Sequence, residues 1–447
     1  MKSIIIVGAG LAGSYMAYAM GKKGYDVQVF EKRPDPRKLN YGSGRSINLV
    51  VSHRGWTALK YAGIEKEIRK IVVPAYGRQI HDLEGNESYF AYNIEGKAIY
   101  SISRSEFNKK LVELAEVLPN VTITFDSICE HVDFKKGTVQ MQQGEQSNTF
   151  SADLIVGADG TGSSVRGALM KQPRFNFSQE FIDSRYKEVH IPAAQDGQPQ
   201  LNIDALHIWP RQEFMLMGLA NMDNGFTGTV FAPFDGEFGL NNLPKGEDGI
   251  RYFQKYFKDA IPLIPNLAEQ WESNPTSALA CIRCKPYHWG MNTMLIGDAA
   301  HATVPFYGEG MNGSLEDVRV FMELLDDYGH SNMKKLLEKY TEVRVPAGNA
   351  LVDLSLRNFI EMRDLVADPK FQLRKKIERK VQSKHPDKWT PLYTLVKFTN
   401  IPYQEAKEEG ERHDRIMDQV LQIKDIDQTW DSESVEQEVL RLFENMT

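Results

Sequence analysis

Three glycine-punctuated stretches and one arginine carry the residues of this chain that could do chemistry. The first stretch is Gly8-Ala9-Gly10-Leu11-Ala12-Gly13, a G-x-G-x-x-G run with Glu31 lying 18 positions beyond its third glycine. Between a strand and a helix, Gly8 permits the tight turn, Gly10 lets the backbone approach a pyrophosphate, and Gly13 allows close helix–strand packing. The pyrophosphate would rest on the helix N-terminus, beside Leu11 and Ala12, where free N–H groups and the dipole favour negative charge. Glu31 would accept from a ribose 2′-OH, which selects an adenosine ribose without a 2′-phosphate, hence FAD or NAD rather than NADP. Lys32 and Arg33 join it as cofactor contacts. The second stretch, Gly157-Ala158-Asp159-Gly160, ends a strand and returns Asp159 to the carboxyl edge of a sheet, where doubly wound folds bind ligands. The third is Gly297-Asp298-Ala299-Ala300-His301, followed by Pro305 to Asn312. Its Gly310-Met311-Asn312 opens a helix whose free N–H groups point at whatever lies above. The arginine is Arg78, which strand alternation puts on the same face as Ile80. There it is either a snorkelling edge residue or a bidentate clamp for a ligand carboxylate. Arg45, in the small-residue run Gly42 to Leu49, belongs either to a flexible loop or to a segment against the cofactor.

The elements that must position these groups follow from periodicity. Ile4 to Val7 is a short β-branched run suited to a strand buried on both faces, followed by a helix over Ser14 to Lys22 and a second strand, Val27 to Phe30. His53 to Tyr61 and Ile64 to Ile71 read as helices. Gly77 to Asp82, Tyr89 to Tyr92 and Ala98 to Ile102 read as strands. Arg104 opens a helix through Leu111 and Ala115, and Val121 to Phe125 is a further βαβ-type strand. Val132 to Gln140 with Thr149-Phe150 predicts an antiparallel ribbon. From Tyr186 to Phe234 the pattern is a meander of strands with Asp223-Asn224-Gly225 as one turn. Its Leu206, Met215, Met217 and Phe231 make a one-sided apolar face, which either packs on its own helices or walls a pocket. Asp248 to Phe257 and Leu267 to Glu272 are predicted helices, and after Gly310 an amphipathic helix turns Leu315, Val318, Phe321 and Leu325 inward. Near the C-terminus Leu351, Leu354, Asn358, Met362 and Leu365 share a helical stripe, so a polar Asn358 falls among inward positions. A buried amide must be hydrogen-bonded, to its own fold or to a ligand. Lys370 to Lys388 holds eight basic and two acidic residues, which reads as a solvated helix face.

Composition narrows the classes. The chain has 447 residues, 42% apolar and 25% charged, with a net charge of −7, which supplies no electrostatic reason to bind nucleic acid. Three cysteines, Cys129, Cys281 and Cys284, form a sparse, odd set that suggests a reducing compartment. Cys281 to Cys284 spells C-x-x-C, but without a second pair at ligand spacing it predicts neither a metal site nor a redox centre. The N-terminal apolar run is too short for a signal peptide, and no segment reaches the ~18 apolar residues of a membrane span. The expectation is a cytoplasmic protein.

Taken in order and spacing, the three signatures resemble those of the class A flavoprotein aromatic hydroxylases of the para-hydroxybenzoate hydroxylase type. GAGLAG with Glu31 matches the ADP-binding motif, GADG the second motif, and GDAAH with the following P…G-x-G-x-N the FAD ribityl motif, and the resemblance covers essentially the whole chain. It narrows to the members that hydroxylate L-kynurenine, whose order is followed by RPDPR, GRSINL, Gly77-Arg78, SISR, ALHIWP, VPF, GMN, LED, NFIEM and Tyr393 to Tyr403. The implied architecture is α/β: a Rossmann-like FAD-binding domain (1–75, 101–180 and 281–330), an inserted antiparallel β-sheet substrate domain (76–100 and 181–280), and a helical C-terminal region (331–447) closing the pocket. The resemblance implies that Arg78, Tyr92, Asn358 and Tyr393 hold the substrate's carboxylate and amine. It implies that Ile99, Leu206, Met215, Met217, Phe231, Pro305 and Phe306 wall its ring, and that Arg104 and Asp298 hold FAD. Two departures stand out: Tyr307 and Glu309 occupy positions where His and Gln are expected, and Met217 replaces a β-branched residue, a tolerable swap.

The implied reaction uses NADPH (or NADH) to reduce FAD, O₂ to form a C4a-hydroperoxyflavin, and oxygen transfer to the ring carbon ortho to the amine, giving 3-hydroxykynurenine. The hard chemistry is the cofactor's, so no side chain is needed as nucleophile or base. No second dinucleotide motif is present in the sequence, which makes the nicotinamide a transient visitor. Two other readings stay open at this point: hydroxylation of another aromatic or polyketide substrate, and a non-catalytic binding module on the same fold, like the Rab dissociation inhibitors.

Overall fold

In a computed structural model of the chain, residues 2–38, 47–93, 95–237, 239–240, 247–365 and 368–446 are described. The frame is a six-stranded sheet in the order His288–Trp289, Thr293–Leu295, Leu154–Gly157, Ser3–Val7, Asp26–Phe30, Val121–Thr124. Four of its five pairings are parallel, so both faces must be covered, and Ile4, Ile5 and Ile6 are buried accordingly. The helix Leu11–Lys22 starts three residues before the helix read from the sequence, directly after Gly10. Gly8 turns at φ +104°, and a Cβ there would lie 2.5 Å from the Ala158 carbonyl oxygen; a Cβ on Gly13 would lie 1.9 Å from that of Gly8. Both positions therefore admit only glycine.

A seven-stranded sheet stands over this frame in the order Thr276–Lys285, Asn176–Ile191, Phe226–Ala232, Phe214–Ala220, Ala205–Arg211, Gly77–His81, Glu87–Ala91. It is antiparallel except between Gly77–His81 and Ala205–Arg211, which run parallel with Arg78 opposite Leu206. That exception has a simple reason. The Arg78 strand arrives from a distant part of the chain, so no hairpin dictates its direction. Ile99–Ser103 does not extend this sheet but pairs with Asn48–Val51 and Val73–Ala75 in a small separate one. Ile128–Asp133, Thr138–Gln143 and Gln146–Ser151 form the expected ribbon, with three strands.

The C-terminal third is helical: Met333–Ile360, a π-helical turn at Glu361–Leu365, then Pro369–Lys384, Leu392–Phe398, Tyr403–Val420 and Glu433–Asn445. Ile377, Val381, Trp389, Ile416, Met417 and Val439 give part of it a core of its own. The basic stretch is not simply solvated. Arg374 bonds Glu378 on its own helix at 2.8 Å, and acidic helices further along the chain pack against the stretch, so that Arg374 also bonds Asp414 at 2.7 Å and Lys384 bonds Glu436 at 2.6 Å. Cys281 and Cys284 lie three apart on one strand and so point to opposite faces, both as buried free thiols. Burial pushes the Cys284 thiol up to about 12. Among the described residues no helix is long and apolar enough to cross a membrane.

Candidate functional site

A cavity of about 680 Å³ runs from the carboxyl edge of the parallel sheet to the underside of the large sheet, within the usual range for a bound small molecule. Its first half is lined by Gly8, Gly10, Leu11 and Ala12 from the first signature, Glu31, Lys32 and Arg33 after the second strand, and Asp159 from the second signature. Asp298, Gly310 and Met311 arrive from the third, and Arg104 from its helix start. Gly13 and Asn312 do not line it. Gly13 serves packing, while Asn312 ties its helix to the Asn48–Val51 strand, donating to the Val50 carbonyl at 2.8 Å and accepting from the Ser52 amide at 3.1 Å. Arg45 lies outside the described residues.

The acids at this end differ in what they have left to offer. Glu31 is buried, yet its carboxylate accepts from the Ala9 amide at 2.8 Å and from the Arg33 amide and Nε at 3.0 and 2.8 Å. Burial alone would raise its pKa; the Arg33 guanidinium and the two amides outweigh that and hold it below the ordinary glutamate value. A carboxylate has about four acceptor sites, so one remains for a ribose hydroxyl. Asp159 is spent differently, accepting from Ser163 Oγ and, at 2.6 Å, from the Ser164 amide, so that it caps the helix Ser164–Leu169. The turn carrying Asp298 is clamped from behind by a buried ionic network. Asp317 accepts from the Gly297 amide at 2.8 Å, His301 at 2.6 Å and Arg344 at 2.7 Å, and Arg344 and Arg54 share Glu316 at 2.7 and 2.5 Å. The positive φ of Gly297, +59°, completes that turn.

These residues fit FAD on their own geometry. A Cβ built on Gly10 meets nothing within 4 Å, which is the room a pyrophosphate needs where Gly8 and Gly13 are jammed against backbone.

The second half of the cavity is apolar, walled by Ile99, Leu206, Met217 and Phe231, with Pro305 and Phe306 below. Met215 sits behind this wall, buried in a cluster with Phe231, Phe306, Val304 and Phe359. Cations intrude, Arg78 foremost. Arg78 has no carboxylate within ion-pair distance among the described residues, and its Nε has no hydrogen-bond partner there. Its guanidinium lies 4.6 Å from the Tyr393 ring and 5.6 Å from that of Tyr92. Tyr393 is stacked between Tyr92 at 5.4 Å and Tyr307 at 6.0 Å. Tyr92 does not line the cavity but backs both Arg78 and Tyr393; burial raises its pKa well above the ordinary value, so its hydroxyl stays protonated. Asn358 is buried and also off the cavity, its Nδ2 donating to the Phe306 carbonyl at 2.8 Å. Of the groups assigned to the substrate, the fold thus brings Arg78 and Tyr393 together with the apolar wall, puts Tyr92 behind them, and leaves Met215 and Asn358 supporting the wall. Lys397 also lines the cavity, although nothing in its own stretch of sequence marks it. It bonds Glu309 at 2.8 Å, and the unexpected acid at 309 is the one signal that could have pointed to it.

Residues 1–355 match the model of the FAD binding domain family. Over nearly its whole length the chain is 44% identical to the kynurenine 3-monooxygenase of Christiangramia forsetii, covering 99% of this chain and 98% of that relative. It is 38% identical to that of Dictyostelium discoideum, covering 95% and 94%. The chain belongs to the kynurenine 3-monooxygenase family. It is accordingly a flavoprotein monooxygenase with FAD as its cofactor. The fold is shared with 2-methyl-3-hydroxypyridine-5-carboxylic acid oxygenase, with a TM-score of 0.65 at 20% identity over 83% of this chain and 94% of that one. It is shared equally with PqsL from P. aeruginosa, solved with 2-aminobenzoylacetate, at TM-score 0.65 and 19% identity over 81% and 96%.

Proposed function

We propose that this protein hydroxylates L-kynurenine to 3-hydroxykynurenine, with NADPH (or NADH) as transient reductant and O₂ as the oxygen source. One oxygen atom enters the ring carbon ortho to the amine, the other leaves as water, and the nicotinamide supplies the two electrons. The observation that carries the reading is Arg78, a cation without a carboxylate partner among the described residues, set at the end of an apolar chamber that adjoins a dinucleotide cradle. An aromatic amino acid satisfies both surfaces at once. FAD, when bound, supplies the activation of O₂ and the transfer of oxygen.

The chain's own part is positional. Glu31 accepts from the adenosine ribose, and the backbone at Gly10 to Ala12 receives the pyrophosphate. Arg104 and Asp298 complete the contacts of the cofactor. The N-terminus of the helix Gly310–Tyr328 favours negative charge at the inner end of the cavity. Arg78 and Tyr393, with Tyr92 behind them, take the substrate's carboxylate and amine and fix the ring's approach. Ile99, Leu206, Met217, Phe231 and Phe306 exclude water from the reacting carbon. In this reading 1–75, 101–180 and 281–330 form the FAD-binding domain, 76–100 and 181–280 the substrate sheet, and 331–447 the region that closes the pocket. Three buried free thiols suit a reducing cytoplasm.

The test is NADPH oxidation by the flavin-loaded protein with and without L-kynurenine, with product mass. Strong stimulation and a product heavier by one oxygen atom are expected. No stimulation, or oxidation of NADPH with the kynurenine recovered unchanged, sinks the assignment.

A further inference from the structure

Lys397 is an ammonium buried in the wall of the cavity. It stands on the helix Leu392–Phe398 with its side chain 2% exposed, donating to Glu309 Oε1 at 2.8 Å and to the Gly308 carbonyl at 3.2 Å. Glu309, fully buried, immediately precedes the helix Gly310–Tyr328. Its other oxygen accepts from the Tyr403 hydroxyl at 2.8 Å and the Ser52 hydroxyl at 3.2 Å. One carboxylate thus gathers donors from three other segments of the chain, at the foot of a helix whose first residues, Gly310 and Met311, line the cavity. The charges have opposite effects there. A cation at a helix N-terminus adds to the positive end of the dipole, and an anion subtracts from it. Lys397 itself lines the cavity while Glu309 stands behind, so whatever lies against Gly310 meets the ammonium through a counter-charge 2.8 Å away.

We propose that Lys397 and Glu309 are a matched pair of positioning residues that sets the electrostatic potential at the flavin: the carboxylate cancels the ammonium, leaving the helix N-terminus to act on the flavin alone. The inference rests on the FAD reading of the cavity. Both act through the potential at the cofactor, and the role of each depends on the other.

The midpoint potential of the bound flavin reads this directly. Glu309→Gln exposes the cavity to an uncompensated ammonium, which favours the anionic reduced flavin, so the potential shifts upward. Lys397→Met leaves an uncompensated carboxylate, and the potential shifts downward. The double variant returns towards the parent, as does Lys397→Arg, which keeps the charge. A parallel series of thermal unfolding measurements on the FAD-free protein is expected to give a double variant more stable than the sum of the single losses predicts. Single variants whose potentials move in the same direction overturn the proposal. So does an unmoved potential with a lowered Tm, since the pair would then be structural only. If a single variant does not fold, the double variant and Lys397→Arg decide: both must keep the parent potential. If the parent protein binds no flavin, the functional reading fails on its own account, and additive losses in Tm overturn the pairing.

Discussion

Replacing Arg78 with Met separates a residue that serves the ligand from one that serves the fold. The guanidinium lies against the Tyr393 and Tyr92 rings at 4.6 and 5.6 Å, with no ion-pair partner among the described residues and an unbonded Nε. Holding an unpaired cation in a largely apolar wall costs stability, and Met fills much of the same volume without the charge. The cation–π attraction that Met cannot make is worth about 0.5–2 kcal/mol, against which stands the desolvation that is relieved. Unfolding of the free protein should therefore shift by less than ~1 kcal/mol. Binding responds differently. A charge-assisted bond to a carboxylate contributes about 1.5–3 kcal/mol, and at 1.36 kcal/mol per tenfold this raises KM for L-kynurenine ~13- to 160-fold. Because that bond exists in both ground and transition states, kcat should change little. The assay is steady-state NADPH oxidation with L-kynurenine and with its decarboxylated amine, together with thermal unfolding of both proteins. The parent should discriminate strongly between the two compounds and the variant hardly at all. Equal loss for both compounds would mean that Arg78 does not see the carboxylate. A KM that rises only in step with a falling Tm would mean that the arginine holds the sheet rather than the substrate.

Three further outcomes follow from the geometry. Gly13→Ala should purify without flavin and lose about 3 kcal/mol of stability in urea titration, because its Cβ would stand 1.9 Å from the Gly8 carbonyl oxygen; a yellow protein of parent stability refutes the packing argument. Burial pushes His207 down to about 4 from 6.5, so the unfolded chain binds its proton more readily. Its contribution is therefore complete above about pH 6.5 and is lost as the pH falls towards 4, by at most about 3 kcal/mol. Urea midpoints at pH 7 and pH 4.5 should fall less steeply in His207→Gln than in the parent, and identical slopes would contradict this. Asn358→Leu strands the Phe306 carbonyl that Asn358 now satisfies, costing about 1–3 kcal/mol with KM within a few-fold of the parent; a tenfold rise in KM at unchanged Tm would instead put Asn358 on the substrate.

What the sequence made legible and what it hid divide along a physical line. The first signature could be read because most of its constraints are local: Gly13 is jammed against the carbonyl of Gly8, Gly10 opens onto free space and Gly8 turns at φ +104°, all within six residues of chain, while only the clash at Gly8 comes from afar, from Ala158. Alternation likewise told which way a side chain leaves a strand. It did not tell how far the wall extends in that direction. Met215 and Met217 leave the same face two residues apart, yet Met217 reaches the cavity while Met215 lies behind Phe231 and Phe306. The stripe through Asn358 gave an inward direction in the same way, but its partner, the Phe306 carbonyl, comes from another element 52 positions away. Charges are the extreme case. Glu309 is conspicuous in sequence as an acid in a glycine turn, but its meaning is fixed by Lys397, 88 positions on, in a segment whose pattern is otherwise that of a small apolar helix. Arg78 poses the inverse problem, since what matters is that no acid among the described residues comes within ion-pair distance of it, and an absence of that kind follows only from the placement of every neighbouring segment. Periodicity therefore locates the surface on which chemistry is done. Which charges on that surface are already answered by the fold, and which are left for a ligand, is decided by pairings between distant segments, and the difference between Lys397 and Arg78 is the clearest instance in this molecule.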